Sequence, residues 1–125
     1  MAINVISNKK NTSAVLHINA GGTITVAGTA GSSTIATDDE VITGASIVQA
    51  FAGCDGNSYI SVSRGGNVVA IYDSTGYYDY AGSGMSLTLN KADDIVIAFE
   101  GSGNCYLMLE LQKEGTFNRT PYMVG

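Results

Sequence analysis

Short runs that alternate apolar and polar residues recur along the whole chain, and each is closed by a cluster of Gly, Asn, Asp or Ser. A period of two is the mark of a strand with one buried face, and the 3.6-residue period that a helix needs is absent. The pattern therefore predicts an all-β chain of about nine strands. They are expected at 2–7, 12–19, 22–27, 41–53, 59–64, 68–73, 85–89, 95–100 and 104–113, with room for a further short strand at 34–37 and an aromatic stretch at 77–80.

Turn chemistry sharpens this reading. Gly65-Gly66 and Asp55-Gly56 are both two-residue hairpin signals, because type I′ turns need positive φ at their central residues. Thr37-Asp38-Asp39-Glu40 has the form of a helix N-cap followed by acids, which predicts at most one helical turn before a strand that is under way by Ile42. Gly44 marks a bulge or bend within that strand. Plain alternation places Ile47, Gln49 and Phe51 on one face and Val48, Ala50 and Ala52 on the other. It likewise opposes Val68, Ala70 and Tyr72 to Val69 and Ile71, and Ile95, Ile97 and Phe99 to Val96 and Ala98.

With 125 residues the chain is the size of one domain, large enough to bury a core. Hairpin turns without intervening helices predict an antiparallel β-sandwich, jelly-roll or immunoglobulin-like, ahead of a small barrel. The sandwich is expected over 1–114. After Glu114 the alternation stops and Pro121 interrupts any ladder, so 115–125 reads as an extended C-terminal arm. Several strands are apolar on both faces, which predicts that neighbouring subunits cover part of the outside. Phe117, Tyr122, Met123 and Val124 in the arm, and Tyr77, Tyr78 and Tyr80, are the candidate interface residues.

A formal net charge of −5 repels a phosphate backbone, so nucleic acid is not an expected partner. No run approaches the length of a membrane span and 1–7 lacks a signal-peptide core, so the chain is expected to be made in the cytoplasm without membrane association. Cys54 and Cys105 lie at the ends of separate strands and are expected to be reduced, pairing only if the fold brings them together. His17 is the single histidine, and no nucleophile motif, metal-ligand spacing or phosphate loop accompanies it. Neither a catalytic centre nor a cofactor is expected. The acids at 38–40, 55, 73, 79 and 93–94 read as solvated turns rather than a Ca²⁺ loop. Exposed tyrosines beside Asp79 keep carbohydrate binding open as an alternative.

Ile60-Ser61-Val62-Ser63-Arg64-Gly65-Gly66-Asn67-Val68-Val69-Ala70, then Asp79-Tyr80-Ala81-Gly82-Ser83-Gly84-Met85, then a hairpin ending Tyr106-Leu107-Met108-Leu109-Glu110-Leu111, resembles small virion structural proteins of tailed marine bacteriophages. The resemblance covers 59–111, less than half of the chain. It implies a capsid decoration (cement) protein, commonly trimeric, that binds the major capsid protein on the outside of the phage head. A tail or baseplate component is the other role it implies.

Overall fold

The computed structural model describes residues 3–9, 12–37, 40–80 and 90–117. Among these residues nine strands run in chain order as β1 (Ile3–Lys9), β2 (Ser13–Ile18), β3 (Gly22–Ile24), β4 (Glu40–Cys54), β5 (Tyr59–Arg64), β6 (Asn67–Tyr72), β7 (Gly76–Asp79), β8 (Ile95–Glu100) and β9 (Cys105–Phe117). They form a five-stranded sheet, ordered β1-β2-β9-β4-β7, and a four-stranded sheet, ordered β3-β8-β5-β6. Every pairing is antiparallel. The β-sandwich expected from the turn spacing is thus the fold.

The core lies between the two inner faces. In the larger sheet it is laid in cross-strand rows: Ile18, Leu107 and Ala52; Leu16, Leu109 and Ala50; Ala14, Leu111 and Ile47. Leu107 and Leu109 on the central strand β9 are flanked by alanines on β4, and Leu111 by Ala14 on β2, so large and small side chains interlock. The smaller sheet answers with Ile24, Ile60, Val62, Tyr72, Ile95 and Ile97. Burying each of the larger side chains contributes about 1.5–3 kcal/mol.

Only β1–β2 and β5–β6 are hairpins between consecutive described strands; the other connections cross from sheet to sheet. The β5–β6 hairpin turns on Gly65 and Gly66, at φ 56° and 80°, as the type I′ signal predicts. Asp55-Gly56 also turns the chain, with Gly56 at φ 61° and Ser58 N–H donating to Asp55 O at 3.2 Å. The hairpin expected there does not form, because β4 and β5 belong to different sheets. Local turn chemistry specifies a change of direction, and which neighbour the next strand meets is decided by the core.

The extra strand at 34–37 is also absent. Thr34 N–H donates to Thr25 O and Thr25 N–H to Thr34 Oγ1, while Ser33 Oγ donates to Val26 O; these bonds tuck Ile35 into the core without a ladder. At the expected N-cap, Glu40 N–H donates to Thr37 O and Thr37 N–H to the Glu40 carboxylate, a reciprocal pair that opens directly into β4. The strand expected at 85–89 lies outside the described residues. At the other end β9 continues three residues beyond Glu114, pairing Gly115, Thr116 and Phe117 with Ile42, Val41 and Glu40.

Four register shifts reset which side chains face in. They fall at Ile6 in β1, Thr43 and Val48 in β4, and Val69 in β6. A bulge inserts one residue and reverses the parity of everything after it. The bulge at Val48 sends Ile47 into the core opposite Leu111 while Gln49 and Phe51 face outward, so the expected grouping of these three is corrected. The bulge at Val69 puts Val68 on the outer face with Ile71, away from Tyr72. Strand β8, which has no bulge, keeps the predicted alternation.

Candidate functional site

The two outer sheet faces differ in character. On the four-stranded sheet, cross-strand rows place Thr23, Val96, Ser63 and Val68 side by side, then Ala98, Ser61 and Ile71, then Glu100 and Tyr59. Val68 and Ile71 are each 57% exposed, Val96 46% and Tyr59 40%. Glu100 is the one charged side chain in these rows. The apolar positions are present because β5 and β8 alternate strictly and β6 is re-phased by its bulge.

On the five-stranded sheet one row runs Asn4, His17, Met108, Phe51 and Tyr77. The next runs Val15, Glu110, Gln49 and Asp79. Phe51 and Tyr106 stack at 5.9 Å between centroids with 25° between planes. The Tyr106 ring lies over Gly53, its register partner, where any Cβ would collide with it. A shallow groove of about 220 Å³ opens between the two rows, lined by Val15, Gln49, Phe51, Tyr77, Met108 and Glu110. This face is aromatic along one line and hydrogen-bonding along the next.

The structure separates the three tyrosines nominated as an interface. Tyr77 projects outward opposite Phe51. Tyr78 and Tyr80 pack against the core instead, Tyr78 at 4.9 Å between centroids from Tyr72 and Tyr80 with its hydroxyl 2.8 Å from that of Tyr72. Tyr72 comes from the smaller sheet and Tyr78 from the larger, so this cluster closes the sandwich at the β6–β7 corner. Burial, and then the contact with Tyr80, push the Tyr72 hydroxyl far above its ordinary value. Burial also raises Tyr80.

A raised phenol favours folding only while the unfolded chain still holds the same proton. The contribution of Tyr72 is complete below its unfolded value near pH 10 and declines as pH rises, by up to about 1.4 kcal/mol per pH unit. Denaturant midpoints taken from about pH 9 to 11.5 should fall steadily above about pH 10, and Tyr72→Phe should flatten that slope. An unchanged slope in the variant would assign the alkaline loss to other groups.

Of the remaining nominated residues, Phe117 ends β9, and Tyr122, Met123 and Val124 lie outside the described residues. His17 stands on the outer face, on the same side as Val15 and beside Met108. Among the described residues no three of His, Cys, Asp and Glu converge as metal ligands. Three of the acids read as solvated turns are not: Asp55 Oδ1 accepts from Asn104 N–H at 2.6 Å, Asp94 Oδ1 accepts from Val26 N–H at 3.1 Å, and Glu40 is buried at the start of β4 against Lys113.

Two buried cations were not anticipated. Arg64 is 1% exposed and donates to the carbonyls of Ala45, Lys91 and Asp93. Burial lowers its pKa, with Asp93 and Asp94 acting in the opposite sense. Lys113 donates to Glu40 Oε1 at 2.8 Å, Asn8 Oδ1 at 2.6 Å and Ile35 O at 3.1 Å, which uses all three ammonium protons. Both cations are internal fasteners. The signal for each was in the alternation, since Arg64 follows Ile60 and Val62, and Lys113 follows Leu107, Leu109 and Leu111, at the inward positions.

Comparison with protein-family models, with curated proteins and with solved structures returns no match.

Proposed function

We propose that this chain is a non-enzymatic structural subunit that assembles with copies of itself through the outer face of its four-stranded sheet. The observation that carries this reading is the cluster of Val68, Ile71, Val96 and Tyr59 on a face whose paired rows hold one charged side chain, Glu100, with Asp73 at the rim beside Tyr59 and Ile71. At a net charge of −5 two copies repel over most of their surface, and this sparsely charged face is where they approach at the least penalty. Capsid decoration, as the resemblance over 59–111 implies, is the specific form: an oligomer, trimeric by that resemblance, set on the major capsid protein of a phage head. Binding the assembled lattice and not its free subunits would stabilise the shell by mass action. A tail or baseplate position uses the same face in a ring.

Sedimentation equilibrium of the full chain tests the assembly reading. The wild-type chain should sediment as a homo-oligomer. Ile71→Asp combined with Val68→Asp should sediment as a monomer that still unfolds in one cooperative transition, because neither side chain belongs to the core of the subunit. A wild-type chain that stays monomeric up to roughly millimolar concentration, where even weak dimers form, rejects it. Imaging purified particles then separates head from tail, by whether copy number follows capsomers or the tail's rotational symmetry.

A second reading, carbohydrate binding, is favoured by the other face. There Phe51, Tyr106 and Tyr77 offer ring surfaces beside Glu110, Gln49 and Asp79, the combination of stacking and hydrogen bonding that a sugar requires. Saturable glycan binding by a monomer, lost in Phe51→Ala, would establish it in place of assembly.

A further inference from the structure

Cys54 closes β4 and Cys105 opens β9, and the two are register partners at the end of the longest ladder in the molecule. The next pair outward, Asp55 and Asn104, is joined by Asp55 N–H donating to Asn104 O at 3.1 Å. Hydrogen-bonded and non-hydrogen-bonded pairs alternate along an antiparallel ladder, so Cys54 and Cys105 occupy a non-hydrogen-bonded site. Cα atoms at such sites lie about 4.5 Å apart, at the near end of the roughly 4.4–6.8 Å span that disulfides bridge. No strand has to move for the sulfurs to join.

Both cysteines are free, partly buried and packed against the rim of the core. A recess of about 260 Å³, lined by Cys54, Asp55, Thr75, Asn104, Cys105 and Tyr106, opens them to a small reagent. The Cys54 thiol donates towards Tyr72 O at 3.5 Å. Burial first, then the neighbouring Cys105 thiol and the carboxylates of Asp73 and Asp55, push Cys54 up to about 12. The first attack from Cys54 is accordingly slow, and what the neighbouring thiol accelerates is the second, intramolecular exchange.

We infer that Cys54 and Cys105 form a redox pair that a low-molecular-weight disulfide such as oxidised glutathione converts into a cross-strand disulfide within one chain. One cysteine, as thiolate, attacks a sulfur of the oxidant; an S–S bond forms to the protein and the first glutathione leaves as thiolate. The second cysteine attacks the protein sulfur of that mixed disulfide, the Cys54–Cys105 bond forms, and the second glutathione leaves. Two electrons pass from protein to oxidant, and the two thiol protons end on the two released glutathiones. The second step joins neighbours and outruns capture of another oxidant molecule. The product clamps β4 to β9 where the chain leaves the sheet at both ends.

The test exposes the reduced full chain to excess oxidised glutathione at mildly alkaline pH overnight, followed by thiol titration and intact-mass measurement. Wild type should lose both thiols and become two hydrogens lighter at the mass of one chain, and dithiothreitol should restore it. Cys54→Ser and Cys105→Ser should each retain one attached glutathione. The denaturant midpoint of oxidised wild type should rise above that of the reduced form, which checks that the bond forms in the folded state. A wild-type chain that keeps both thiols, carries two glutathiones, or links to a second chain overturns the inference, and none of these readings depends on either variant folding.

Discussion

Lys113→Met is expected to lower the unfolding free energy by about 3–5 kcal/mol, the cost of leaving a buried carboxylate without its cation. Lys113 and Glu40 have side chains 0% and 3% exposed, so solvent screens neither. The ammonium also holds Asn8 of β1 and the carbonyl of Ile35 in the loop after β3, so four segments lose a common anchor at once. Glu40→Gln in the Lys113→Met background should recover part of the loss, because it removes the orphaned charge while an amide oxygen still accepts from Thr37 N–H. The double variant is thus expected to be more stable than Lys113→Met alone. Urea unfolding of the wild type, both single variants and the double variant measures the coupling. If the losses simply add, the two groups act independently and the ion pair is not what holds the segments.

Arg64→Met should be of similar size, about 3–5 kcal/mol, for a different reason. The guanidinium faces three carbonyls, and truncation leaves those of Ala45 and Asp93 short of a donor in a site that water does not reach freely, while Lys91 O keeps the Ala45 N–H at 2.8 Å. Each such acceptor costs about 1–3 kcal/mol. Arg64 extends from the β5–β6 hairpin of one sheet to Ala45, between the two bulges of β4, in the other, and Asn90 Nδ2 returns the contact by donating to Arg64 O at 2.9 Å. Arg64→Lys keeps the charge but replaces the planar fork with a point donor on a different stem, so it should recover only a minority of the loss. Against a typical total stability of about 5–15 kcal/mol, Arg64→Met should unfold at markedly lower denaturant than any outer-face variant. Equal stability of Arg64→Lys and wild type would show that charge alone, not the fork, is required there.

Strand positions were legible because a half-buried strand writes its period into the sequence and a tight turn writes its glycine. Faces were legible only up to the first bulge. Val48 and Val69 look like any other β-branched residue, yet each resets the parity of the residues beyond it, and Ile47 and Val68 were misplaced for that reason alone. Sheet membership was not legible either: Asp55-Gly56 and Gly65-Gly66 carry equivalent turn signals, and only the second joins hydrogen-bonded neighbours.

The candidate interface suffered from reading sequence clusters as surface clusters. Tyr77, Tyr78 and Tyr80 are near neighbours in the chain, but successive side chains on a strand point to opposite faces, so Tyr77 and Tyr78 had to part. The exposed apolar residues of the smaller sheet come from different strands: Val68 and Ile71 from β6, Val96 from β8 and Tyr59 from β5. No single-strand pattern gathers them. Arg64 and Lys113 could have been found, since each continues an apolar series at inward positions, where a cation demands an acceptor cage.

The order β1-β2-β9-β4-β7 has a consequence for how the chain is made. The central strand of the larger sheet is the last described one, so β2 and β4 wait with open edges until residue 117 has cleared the ribosome. Completion of the larger sheet therefore waits for β9, is dominated by long-range pairing and is slow. During that interval the exposed edges invite pairing between nascent chains, and low synthesis temperature or chaperone supply should govern the soluble yield of this protein more than its final stability does.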